Sequence, residues 1–143
     1  MIKNLFRYVN SHYISLVIFC IIIIFAYGNY RCLVDDKDKE NDPFLIFDGP
    51  PLFESNNWHL KIDRWSFTHI GFFAILGFFH PKTFWLSMIG GITWELFEQA
   101  FRYYKPKWLY GACGRGEWWY HRWNDIIMNC IGFVIGMNLS KIM

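Results

Sequence analysis

Glu95 and Glu98 stand three residues apart, and Asp125 and Asn129 four apart, so on helices each pair shares one face. Carboxylates gathered this way repel one another, and one keeps its proton at neutral pH unless a cation neutralises them. Oxygen donors from Glu, Asp and Asn suit a hard divalent ion, calcium or magnesium. Glu95, Glu98, Asp125 and Asn129 are the oxygen donors gathered here, and Glu117 is on the same side and could complete the site. His69 lies about one helical turn inside an apolar run, near the depth of Glu95; if the site acts on a substrate hydroxyl, His69 would be its general base, and His69, Glu95, Glu98 and Asp125 would be the catalytic candidates. Asn129, Arg122, Gln99 and Arg102 flank them as candidates for holding a polar substrate, and Asp63 is on the same side.

These residues need elements to position them, and the composition says which. Of 143 residues, 54% are hydrophobic, 22% aromatic and only 18% charged. That apolar share exceeds the usual 45–50% of soluble domains, which points to lipid. Four apolar runs, at about 13–29, 65–79, 83–101 and 124–140, predict an all-α fold: a polytopic membrane bundle of about four transmembrane helices in a single domain over 1–143. A polar loop at 31–63, with an acidic stretch at 35–42 and an Asp48-Gly49-Pro50-Pro51 turn, and an aromatic interfacial loop at 102–123 connect them. Trp118, Trp119 and Trp123 suit interfacial anchors. Small residues suited to a cleavage site do not follow the first run, which reads as a retained span.

The basic residues are more numerous on the side of the two longer loops, which the positive-inside rule places in the cytoplasm with both termini outside; Lys3 and Arg7 pull the other way. The net charge of +2 is mild and no basic block or nucleic-acid motif is present, which sets nucleic acid aside. Cys20, Cys32, Cys113 and Cys130 have no CxxC or zinc-type spacing. The expected partners are the bilayer and its phospholipids, with a homo-oligomer left open.

Going inward from the acidic rungs, Gly91 and Ser87 continue the Glu95 stripe, and Gly132 and Gly136 continue the Asn129 stripe. Residue numbers across the two runs add to a nearly constant total, as depth-matched rungs of antiparallel neighbours do. The expectation is that these two helices pack closely along their small residues. Plainer uses of the same side chains stand beside the site reading. Glu95 and Glu98 could snorkel to water or pair with Arg102, Asp125 could cap its helix, Asn129 could bridge two helices, and His69 could be a packed histidine.

The order Asp63-Arg64, then His69 opening an apolar helix with Gly71 and Gly77, then Glu98-Gln99 ending a helix, then Asp125-x3-Asn129-x2-Gly132-x3-Gly136 resembles the VanZ-like membrane proteins over residues 63–137. That resemblance implies a small multi-span protein, one relative being linked to glycopeptide-antibiotic resistance. A second pattern, Trp94-Glu95-x-x-Glu98, then Glu117-Trp118-Trp119, then Asp125 and Asn129 before Gly132, is similar to the core of base-exchange phosphatidylserine synthases. It implies calcium-dependent exchange of a phospholipid head group, with His69 catalytic and Glu95, Glu98, Glu117 and Asp125 holding the ion or phosphate. Tyr120-His121 replaces that family's aspartate after the Trp-Trp pair, and the Asp125 to Asn129 distance is one residue short of its pattern. The functional expectation is an acidic and amide site at one membrane face that binds or modifies a polar phospholipid head group. A non-enzymatic scaffold, with these groups only locking helices together, is the alternative.

Overall fold

The computed structural model describes residues 9–33, 52–55, 60–104 and 123–143. Its elements in chain order are α1 (Ser11–Leu33), β1 (Phe53–Ser55), β2 (Leu60–Ile62), α2 (Trp65–Phe79), a 3₁₀ turn (Pro81–Thr83), α3 (Phe84–Tyr104) and α4 (Trp123–Leu139). The molecule is mostly helical, and the four helices occupy the four apolar runs.

Each boundary has a local cause. Asn10 caps α1 by accepting the Tyr13 backbone N–H on its Oδ1 at 2.9 Å. α2 is uninterrupted by proline and stops at His80, whose φ of −135° and ψ of 56° leave the helical region. Pro81 follows, and without a backbone N–H it fits only the first turn of a new helix. The chain reverses there by 115° into Pro81–Phe101. Before α2, β1 and β2 form an antiparallel hairpin with Phe53 opposite Ile62 and Ser55 opposite Leu60. This hairpin departs from the reading of 31–63 as polar connection alone.

α2 and α4 are the closest-packed helices. They run parallel: Ser66 bonds Asp125 and His69 bonds Asn129, pairs 59 and 60 residues apart in sequence. Glycines make the approach possible. A Cβ on Gly132 would strike the Ile70 backbone, one on Gly136 would strike Ala74 O, and one on Gly77 would strike Phe133 O. This corrects the expectation that Gly132 and Gly136 pack on the Ser87 and Gly91 rungs. Those rungs do face inward, but Gly91 meets the side chains of Asn129 and Phe73, while Ser87 bonds Tyr13 and Thr83. The glycine seam therefore joins α4 to α2, which is not its neighbour in sequence, rather than to α3, which is.

The interior is thin in apolar groups and rich in polar ones. Tyr13, Phe73, Leu76, Met88, Met128 and Phe133 form its apolar part, beside buried Asp63, Ser66, Ser87, Glu95, Asp125 and Asn129. Large apolar side chains point outward instead, among them Phe19 and Ile22 of α1, Trp85 and Phe97 of α3 and Ile127 of α4. Among the described residues no single helix is long and apolar enough to cross a membrane by itself, while the bent pair α2 with Pro81–Phe101 is so when taken together.

Candidate functional site

The site lies where the first turns of α2 and α4 meet the last half of α3. Asp63 and Ser66 open it with a reciprocal pair. The Ser66 N–H donates to Asp63 Oδ1 at 3.0 Å, and the Asp63 N–H donates to Ser66 Oγ at 3.3 Å. Ser66 is fully buried, and its hydroxyl also stands 3.2 Å from Asp63 Oδ1 and 3.3 Å from Asp125 Oδ1. One hydroxyl has one proton and cannot donate a full hydrogen bond to each of two carboxylates at once. At these long distances the two carboxylates share that proton in a bifurcated contact.

One turn further in, His69 Nδ1 lies 3.0 Å from Asn129 Oδ1. A carbonyl oxygen only accepts, so Nδ1 carries the proton and the ring's remaining nitrogen, Nε2, faces Asp125 Oδ2 at 3.8 Å. That distance is too long for a hydrogen bond and leaves room for something between the two atoms.

Glu95, from α3, completes the group. It is fully buried, and one ligand atom each from His69, Glu95 and Asp125 lie within 4.8 Å of one another. Atoms so spaced can share one ion at the 2.0–2.6 Å typical of divalent metals. The donor set is mixed, one imidazole nitrogen and two carboxylates, with the Asn129 amide fixing the imidazole from behind. Such second-sphere orientation is usual for metal-bound histidine. The set fits a divalent cation, and the nitrogen widens the choice beyond calcium and magnesium to manganese- or zinc-like ions.

Of the residues singled out in the sequence, His69, Glu95, Asp125 and Asn129 therefore meet. Glu98 is one turn beyond Glu95, accepts the Trp94 indole N–H at 2.7 Å, and is near enough to Glu95 and Asp125 to feel both charges. Gln99 is exposed. The Arg102 side chain, Glu117 and Arg122 lie outside the described residues. Ser66 is a member that sequence reasoning misses, because it looks like a mere polar interruption of an apolar run. A signal for it exists, three residues after Asp63 and three before His69, which puts it on their face of the helix.

No protein-family model, no curated protein and no solved structure matches this chain.

Proposed function

We propose that the chain is a VanZ-like multi-pass membrane protein in which His69, Glu95 and Asp125 hold a divalent cation that binds the phosphate of a phospholipid head group. The observation that carries this reading is the convergence of those three ligand atoms, with Glu95 and Asp125 buried and His69 half-buried. The lipid setting is supported by the inverted distribution of side chains, polar within and large apolar groups without. It is supported too by the motif order, since Asp63, His69, Asp125, Asn129, Gly132 and Gly136 are all in the α2–α4 contact. α2 and α4 have 15 and 17 residues, about 23–26 Å at 1.5 Å per residue, so they would thin the bilayer around them. The loop face, with the site, is on the cytoplasmic side in this reading.

A bound cation supplies charge stabilisation to a phosphate oxygen. Head-group exchange of the phosphatidylserine-synthase type would need Glu95 and Asp125 alone to hold the cation, so that His69 Nε2 is free to take the proton of an incoming hydroxyl as its oxygen bonds to phosphorus and to return that proton to the departing head-group alcohol. The scaffold reading draws on a different observation, the Ser66 and Asn129 bonds that tie α2 to α4 without any ligand.

Manganese binding separates them. In phosphatidylcholine nanodiscs, the native chain should quench the paramagnetic signal of free Mn²⁺ saturably, one ion per chain, and Glu95→Gln should weaken this at least tenfold. Equal, non-saturable signals from both proteins would leave only the scaffold. Labelled serine with phosphatidylcholine then reads exchange directly.

A further inference from the structure

A second polar cluster is found at the other end of α2, 11 residues from His69 and so about 16 Å along the helix. His12 Nδ1, in the first turn of α1, lies 2.9 Å from His80 Nε2 at the end of α2. The two rings stand 5.1 Å apart, and His12 also meets the edge of Phe79 at 5.8 Å. Tyr13 packs edge-on against the His80 ring at 5.3 Å and bonds Ser87 Oγ through its hydroxyl at 3.1 Å. His80 is buried while His12 is exposed. An open cavity of about 230 Å³ beside them is lined by Asn10, Phe79, His80, Pro81, Lys82 and Thr83, so protons have a path to the pair.

We propose that the His12–His80 contact is a proton-operated latch that docks α1 on the α2–α3 hairpin and releases it when both rings are charged. α1 is a suitable moving part, because it is absent from the helix pairs with close backbone approach and is held by side-chain tips, such as Phe25 against Trp94 and Tyr27 against Trp65.

The bond has a defined proton count. A ring nitrogen pair needs one N–H and one lone pair, and it survives a first added proton, because one lone pair still faces one N–H. The second proton removes the acceptor and sets two positive rings against each other. Burial and then the charge of His12 hold His80 below its ordinary value of 6.5, so that event comes only below pH 6.5. Among the described residues, the other ionisable groups near by oppose it further or are neutral. Lys82 on the 3₁₀ turn adds positive charge at the cavity, Tyr13 comes from α1, and α3 contributes only the uncharged Ser87. Lys141, just past α4, is turned to Asn138 Oδ1, and none of these neighbours is a carboxylate that could offset the second charge.

Spin labels at Ser15→Cys and Trp85→Cys, both exposed positions, in the full chain with its four native cysteines replaced by serine, test this in detergent micelles. Between pH 7.5 and 5.0 the α1–α3 distance distribution should gain a longer component, its share relative to the docked one rising by at most about tenfold per pH unit as the pH falls from 6.5 toward the lowered value of docked His80. His12→Gln should abolish the change, because a glutamine amide serves as donor or acceptor at every pH. If the cysteine-free chain does not fold, 4-fluorophenylalanine at Phe79 in the otherwise native chain reports loss of the His12 ring as a pH-dependent ¹⁹F shift. A distribution or shift that is constant over this range, or one that changes equally in His12→Gln, overturns the latch.

Discussion

The Asn129 carboxamide oxygen lies 3.0 Å from His69 Nδ1, and this contact sets which imidazole nitrogen is available to Asp125. Asn129 is itself 1% exposed, with its Nδ2 pressed toward Gly91. The amide thus joins three helices, taking position from α4, clearance from α3 and a hydrogen bond from α2.

Asn129→Leu should for that reason do two things. It removes the partner of a half-buried imidazole N–H, at a cost of about 1 kcal/mol, seen as a lower midpoint in denaturant titration of the detergent-solubilised chain. It should also weaken Mn²⁺ binding, since the ring loses its fixed tautomer. Leu is close in volume, so an unchanged denaturation midpoint would mean that the hydrogen bond contributes nothing.

Glycine substitutions should divide sharply by position. Gly136→Ala puts a methyl group into Ala74 O and Gly132→Ala puts one into the Ile70 backbone, so each should destabilise by about 1–3 kcal/mol, with the two helices forced apart. Gly71 is in the same helix as Ile70, yet a methyl group added there would meet nothing within 4 Å. Gly71→Ala should be neutral or stabilising by up to about 1 kcal/mol, through helix propensity alone. Thermal midpoints of the three variants check the division.

His80 gives stability a pH dependence of known sign. Its folded value lies below 6.5, so on acidification the unfolded chain takes up a proton before the folded chain does. Its contribution is therefore fully present above pH 6.5 and is lost as the pH falls from 6.5 toward the folded value, with a slope of at most about 1.4 kcal/mol per pH unit. His80→Gln should flatten this part of the stability profile. Denaturant titrations between pH 7.5 and 5.0 measure both slopes.

Helix positions are readable from apolar runs, because Pro81 and the Trp- and Tyr-rich loop interrupt the chain where helices end. The meeting of His69, Glu95, Asp125 and Asn129 is readable as well, since each sits at the loop end of its run and charged groups there have few places to go. The glycine seam goes to the wrong helix in a sequence reading for a definable reason. A constant sum of residue numbers finds equal depth between antiparallel neighbours, but depth is shared by every helix in a layer and does not choose the partner. Ala74 and Gly77 make that choice, as small residues of α2 that leave room where Gly136 and Phe133 arrive. His12 and His80 escape notice because they are 68 residues apart in sequence and have no spacing that could pair them.

The parallel pairing of α2 with α4 also orders events during synthesis. Ser66, His69 and Gly77 leave the ribosome long before Asp125, Asn129 and Phe133, with all of α3 made in between. Until the last helix is delivered, the nascent chain holds His69 and Glu95 without Asp125, and one side of the glycine contact without the other, so a chain ending before residue 123 has no assembled centre to lose.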